Sequence, residues 1–377
     1  MLTDEEVKLA CEGIDRLITS AIGAKFHAWE KVPLIPRLYD AARERTKDNV
    51  PLVYSAAKGL KENVKKGDTV IMLTGWYLPH FMSGETDGPP GVAALARTLD
   101  LSLNVTSVIM TEPKLRPIVE AACRGIGLRV FDVREARKVP RRVAVVDELH
   151  PYMSEEESRR RIKKWLDELN PSAVISVEKG SRNIKGIYHS MWGINIDPLT
   201  AKLDLLVEEA RERGIYTIGV GDGGNEIGLG GIRDAIMKYM PTGARCHCPC
   251  GAGVAATTEA DDIIISFVSN WGAYGIEAAY ALMMGRTDLM HGGEEETRVL
   301  EEVAKAGAIA SPYGYSLPVV DQIPGKYNVY ILEMLQYIVH AYLVETEQRK
   351  WYQQTAEHQE EMMDWIRGEY AAWKEKS

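Results

Sequence analysis

The sequence has no long apolar run. None of its stretches reaches the roughly 18 residues that a membrane-spanning helix needs, so no membrane span or membrane partner is expected. The opening residues, MLTDEEVKLACEGIDRLI, carry neither a basic leader nor an apolar stretch behind one and do not read as a secretory signal. They read instead as a helix: Thr3 and Glu6 have capping-box spacing, ahead of an apolar stripe at Leu9, Ile14, Leu17 and Ile18. Positive charge is in short supply, with 45 Lys and Arg against 54 Asp and Glu and a formal net charge of -9. Nucleic-acid binders present a basic face, so that class is not expected. The one basic run, ESRRRIKKW at 157–165, reads as the solvated face of a helix. Cysteine is sparse and odd in number, five in 377 residues, which does not suggest a disulfide framework. The expectation is a soluble, cytoplasmic protein.

Familiar catalytic signatures are missing too. There is no G-x-x-x-x-G-K-[ST], no G-x-S-x-G and no H-E-x-x-H. The glycine-rich GDGGNEIGLGG at 221–231 lies where a phosphate loop would lie, between the strand-like IYTIGV and the helical IRDAIMKYM. Yet it has no lysine, and Glu226 stands where the dinucleotide fingerprint requires glycine. Its acidic residues would repel a bare phosphate, so no nucleotide cofactor is expected.

What is present is alternation. Apolar runs at 69–75, 103–110, 128–133, 142–147, 172–178, 215–220 and 262–269, with a weaker one at 327–332, are separated by amphipathic helical stretches. Such alternation means βαβ units, and strands this apolar are buried on both faces. The expected fold is α/β, a largely parallel, Rossmann-like layered sheet with helical additions at both termini. The expected organisation is one α/β catalytic domain over 1–346, helical over residues 1–66, followed by a helical tail over 347–377. The tail's aromatic residues, among them Trp351, Trp365, Tyr370 and Trp373, read either as a homo-oligomer contact or as helices laid on the chain's own core.

Four polar, glycine-rich segments begin at or just past predicted strand ends: GETDGPPG (84–91), EKGSRNIKGIYH (178–189), GDGGNE (221–226) and SNWGAYG (269–275). Ligands of parallel sheets bind at that edge. The segments would gather Glu85, Asp87, Glu178, Asp222 and Glu226 in one place, and so many carboxylates need protons or a cation. These five are the candidate metal ligands, and all-oxygen ligation favours Mg²⁺, Mn²⁺ or Ca²⁺ over zinc. Gly223, Gly224, Asn225, Asn270, Arg182 and Tyr188 are the candidate substrate contacts for a small acidic metabolite. The CHCPC run at 246–250 reads as reduced structural thiols, because tetrahedral zinc sites draw paired ligands from two segments and no second Cys/His pair is visible.

ETDGPPG, VEKGSRNIKGIYH, GVGDGGNEIGLG and VSNWGAYG, in that order, resemble the signatures of the C-terminal domain of the D-glutamate cyclase family, over roughly 70–285. The resemblance implies an α/β fold, manganese dependence (with Mg²⁺ as the alternative) and cyclisation of D-glutamate to 5-oxo-D-proline with loss of water, a lyase reaction. Fuller animal members carry a further N-terminal domain. That chemistry needs a carboxylate base for the amine, for which Asp222 or Glu226 is expected. It also needs a grip on the α-carboxylate, expected from Arg182. Two rival readings use the same pocket, a Mn/Mg-dependent phosphoester hydrolase and a non-catalytic metabolite-binding protein.

Overall fold

Seven of the eight expected strands pair into one parallel sheet. They are β1 (Thr69–Thr74), β2 (Thr106–Met110), β3 (Arg129–Phe131), β4 (Arg142–Val146), β5 (Ala173–Val177), β6 (Tyr216–Gly221) and β7 (Asp262–Ile265), and they lie in the spatial order β3-β4-β2-β1-β5-β6-β7. The computed structural model describes residues 2–22, 34–310, 314–344 and 347–376. Alternate residues of one strand enter different cores. Val70 and Met72 pack with the N-terminal helices and the helix Ser269–Met284, whereas Ile71 and Leu73 pack with Leu166 and Leu206 on the opposite face. Both faces are therefore covered, as their continuous apolar sequence requires.

The helix Ser269–Met284 is buried along nearly all its length. Its small residues permit this: a Cβ at Gly91 of the helix Pro89–Leu103 would stand 2.9 Å from the Ala273 methyl. The Thr3–Glu6 capping box forms as expected. Asp15, fully buried, accepts from Leu52 N and Val53 N and so caps the helix Leu52–Asn63, whose own N-cap is a proline. Of the expected helical region 1–66, residue 1 and residues 23–33 lie outside the described ones. The basic run falls on the helix Glu155–Leu169, and Arg159, Arg161 and Lys164 pair there with carboxylates.

One expected strand is overturned. Residues 327–332 belong to the helix Gly325–Leu343. Its buried residues, Asn328, Ile331, Leu332, Leu335 and Val339, fall at helical spacing, which outweighs the strand-like composition of YNVYIL. Likewise the run at 103–110 starts its strand only at Thr106, because Asn104 ends the preceding helix in the left-handed conformation at φ 54°. The expected boundary at 346/347 falls beside residues outside the described ones, and the tail beyond it forms two helices, Glu347–Glu357 and Gln359–Lys376. Trp351, Trp365, Tyr370 and Trp373 are exposed there rather than laid on the core. Among the described residues no helix is long and apolar enough to cross a membrane.

Candidate functional site

The sheet order reverses between β1 and β5, and the strands end level. Thr74 lies beside Val177, Val177 beside Val220, and Gly221 beside Ile265. The residues that follow, including Gly75, Glu178 and Asp222, therefore leave along one edge. A parallel sheet opens its ligand crevice at such a switch point.

Glu178, Asp222 and Glu226 meet at this edge. Each offers a carboxylate oxygen to one group whose atoms lie within 4.8 Å of one another, and Asp222 joins a second such group with Asp87 and Asp321. Asp222 and Glu226 are at most 2% exposed and Glu178 is 7% exposed. Burial pushes the Glu178 carboxyl well above its usual range, and the charges of Asp222, Glu226, Glu85 and Asp87 push it the same way. Glu178 itself sits at φ 48°, a left-handed conformation that is costly for a glutamate. Its carboxylate accepts from Ser269 Oγ at 2.6 Å. Beside it Thr74 Oγ1, fully buried, meets no hydrogen-bond partner among the described residues.

The glycine-rich turn is an anion nest filled by its own chain. Glu226 Oε1 accepts from Gly223 N at 2.7 Å and Asp222 N at 3.3 Å, and Oε2 accepts from Gly224 N at 2.7 Å. Gly224 adopts φ 91°, which a side chain would resist. The donors of Gly223 and Gly224, expected to reach substrate, thus hold Glu226. Asn225 donates from Nδ2 to His189 O at 2.8 Å and fastens the turn to the 178–189 segment.

Asp87 and Asn270 exchange helix caps. Asp87 accepts from Ser269 N and Asn270 N, closing the start of the helix Ser269–Met284. Asn270 Oδ1 accepts from Gly88 N and Gly91 N, closing the start of the helix Pro89–Leu103. Each residue satisfies orphan donors of the other's helix. Gly88 joins the two at φ 97°, and a Cβ there would lie 2.6 Å from Thr74 Oγ1 and 2.9 Å from Glu178 Cβ. Glu85 lies on the same loop, partly buried, with its N–H on Trp76 O.

Two other expected residues are engaged elsewhere. Arg182 grips both oxygens of Glu208 at 2.7 Å and lies 3.8 Å from Asp204. The Tyr188 hydroxyl donates to Asp204, and burial raises both groups above their ordinary ranges. Their side chains brace the 178–189 segment against the helix Asp204–Glu212.

Three features are not foreseen from the sequence. Lys179, next to Glu178, is buried, donates to Gly75 O at 2.9 Å and pairs with Glu112 beneath the site. Asp321 reaches the edge from a two-residue hairpin turn between Val319–Val320 and Ile323–Pro324, with Asp321 at φ 48° and Gln322 at φ 70°. Such turns favour Asn-Gly, so the non-glycine pair hides the turn in the sequence. The third is a cluster of His189 with Cys246, Cys248 and Cys250. The cysteines' histidine partner comes from the 178–189 motif and not from the neighbouring His247; it is one residue rather than the second Cys/His pair the sequence lacks, but it brings the donors to four from two segments.

Among known proteins, the family described as D-glutamate cyclase-like, C-terminal, matches residues 45–336. The Homo sapiens protein named D-glutamate cyclase, mitochondrial, is 28% identical over 221 residues, 57% of this chain and 33% of that protein. The chain thus spans a third of that relative's length.

Proposed function

The chain belongs to the D-glutamate cyclase-like family, and from that premise we propose that it cyclises D-glutamate, or a close analogue, to 5-oxo-D-proline with loss of water. The observation that carries this reading is the buried meeting of Glu178, Asp222 and Glu226, each offering a carboxylate oxygen within 4.8 Å of the others. Hard oxygen donors this close suit Mn²⁺ or Mg²⁺. When bound there, such an ion supplies a Lewis acid that offsets the charge of the substrate's γ-carboxylate.

The chain's own residues divide the remaining work. Glu226 is held by three backbone donors and keeps the turn in shape, and one of its carboxylate oxygens would join the group that holds the ion. Asp222, shared by both carboxylate groups, would be the central ligand. We place the base, expected of Asp222 or Glu226, on Glu178, which stands in the same carboxylate group and accepts from Ser269 Oγ. Glu178 takes one proton from the substrate ammonium and the freed amine forms its bond to the γ-carboxyl carbon; the C–O bond then breaks as the departing oxygen receives that proton back from Glu178 and a second proton shed by the ring nitrogen, leaving as water. The curled substrate gains by proximity. With Arg182 committed to Glu208 and Asp204, the α-carboxylate is left to other donors at this edge.

The shared Asp222 favours one second reading, a two-cation phosphoester hydrolase, since paired ions about 3.5–4 Å apart are typical of such enzymes. A single assay separates them. The chain is incubated with Mn²⁺ and, in parallel, D-glutamate, L-glutamate and a generic phosphoester. The cyclase reading expects 5-oxoproline from D-glutamate and no phosphate release. Phosphate release without 5-oxoproline in either reaction direction would replace it with the hydrolase.

A further inference from the structure

We propose that His189, Cys246, Cys248 and Cys250 form a closed tetrahedral zinc site, separate from the carboxylate site, that locks the active-site loops together. The four donor atoms lie within 4.8 Å of one another. Cys246 Sγ is 3.6 Å from Cys248 Sγ and 3.2 Å from Cys250 Sγ, while His189 Nε2 is 3.1 Å from Cys248 Sγ and 3.5 Å from Cys250 Sγ. Ligands of a tetrahedral zinc, at about 2.3 Å for sulfur and 2.0 Å for nitrogen, stand roughly 3.5–3.8 Å apart. A small expansion of this cluster receives the ion.

The surroundings are those of a metal site. His189 Nδ1 lies 3.1 Å from Ile187 O, so its proton goes to that carbonyl and the Nε2 lone pair faces the sulfurs. Cys250 N donates to Cys248 Sγ at 3.4 Å, and Asn183 Nδ2 lies 3.6 Å from Cys250 Sγ, two donors suited to thiolates. Three thiolates and an imidazole favour zinc over the hard ions of the carboxylate site. Binding Zn²⁺ releases three protons from the thiols while the imidazole stays neutral. All four positions are filled by the protein, which makes the site structural.

The two contributing segments hold the catalytic turn between them. The 183–195 segment accepts from Asn225 through His189 O, and the segment after the cysteines donates from Ala256 N to Gly224 O at 3.1 Å. They are also tied directly, by His247 N to Gly193 O at 3.2 Å and Asn183 Nδ2 to Gly253 O at 2.7 Å. Zinc would cross-link the segment that begins at Glu178 to the one that supports the Asp222–Glu226 turn.

The test is elemental analysis of the whole chain purified under reducing conditions from metal-replete cells, with thiol titration. One zinc per chain is expected, retained through a chelator wash that strips manganese. Cys246, Cys248 and Cys250 should react with a thiol reagent only as zinc is released, since Cys11 and Cys123 are fully buried. Replacing zinc with Co²⁺ should give a thiolate-to-cobalt charge-transfer band. Cys248→Ser should lose the zinc and the band, His189→Cys should keep both, and Asp222→Asn should keep zinc while losing manganese. If Cys248→Ser does not fold, zinc release from the wild-type chain in step with mercurial titration of the three thiols serves instead. No zinc with freely reactive thiols, a disulfide among the three, or zinc lost in Asp222→Asn but kept in Cys248→Ser would each overturn the proposal.

Discussion

Two buried groups of carboxylates in this chain stand in opposite surroundings. Around His291, Glu277 and Glu296 share an imidazole: Glu277 lies 2.7 Å from Nδ1 and Glu296 lies 3.4 Å from Nε2. Thr98 Oγ1 and His291 N also donate to Glu277, and the Tyr274 hydroxyl donates to Glu296. Although burial alone would lower it, the His291 imidazole is pushed up to about 9 by those two glutamates. That cluster contains its own cation and is completely enclosed between helices. At the strand edge, Glu178 feels burial and four further negative charges, all acting in the same direction. The nearest cationic side chain in sequence, Lys179, is spent on Glu112. The first set closes around a histidine, whereas the second brings carboxylate oxygens of Glu178, Asp222 and Glu226 within 4.8 Å of one another, the spacing of donors to a divalent cation.

Asp222→Asn is expected to break the contrast most severely. It should abolish 5-oxoproline formation and weaken Mn²⁺ binding by more than the roughly 10–100-fold typical of outer-shell changes. The metal-free variant should melt higher than metal-free wild type, because one of the charges opposing ionised Glu178 is gone. A lower melting temperature would show that Asp222 is neutralised within the chain.

His291→Leu should do the reverse. Leaving Glu277 and Glu296 buried without their imidazole is expected to cost about 3–5 kcal/mol in denaturant unfolding. Manganese affinity of the surviving folded protein should stay near wild type. Loss of both together would merge the two clusters into one functional unit.

The same cluster gives a pH signature. His291 is raised from 6.5 to about 9 in the folded chain, facing Glu277, Glu296 and Tyr274, so its contribution is fully present below pH 6.5 and lost as pH rises through about 9. The stability difference between wild type and His291→Gln should shrink across that window. A difference that is flat with pH would mean that the imidazole is neutral.

The smallest effect concerns the turn that delivers Asp321. Gln322→Gly should relieve strain at φ 70° and stabilise the chain by up to about 1 kcal/mol, leaving metal binding unchanged. Destabilisation would mean that the Gln322 side chain holds the hairpin.

How much of this is legible in the sequence follows from the range of each signal. The seven strands and the four strand-end segments are local patterns, and the edge that collects Glu178, Asp222 and Glu226 follows from them. Partnerships over long separations are not legible. Nothing in GETDGPPG says that Asp87 caps a helix 182 residues away, or that Asn270 returns the cap. Arg182 and Tyr188 look available in the sequence because Asp204 and Glu208 lie outside every motif. His189 lies 59 and 61 residues from the sulfurs it meets, and only the packing of the two loops joins them. The start of the helix Gly325–Leu343 reads as a strand because its β-branched and aromatic composition is strand-like, whereas its buried residues, Asn328, Ile331 and Leu332, follow helical spacing and its two tyrosines face outward.

The central claim is that the strand-edge carboxylates hold a divalent cation which the His291 cluster does not need. A Mn²⁺ titration of the chelator-washed chain, followed by thermal unfolding beside Asp222→Asn, tests it directly. The wild-type chain should gain about 2.7 kcal/mol at a hundredfold excess of Mn²⁺ over Kd, and Asp222→Asn should gain nothing. Equal stabilisation of both chains, or of neither, would contradict the claim.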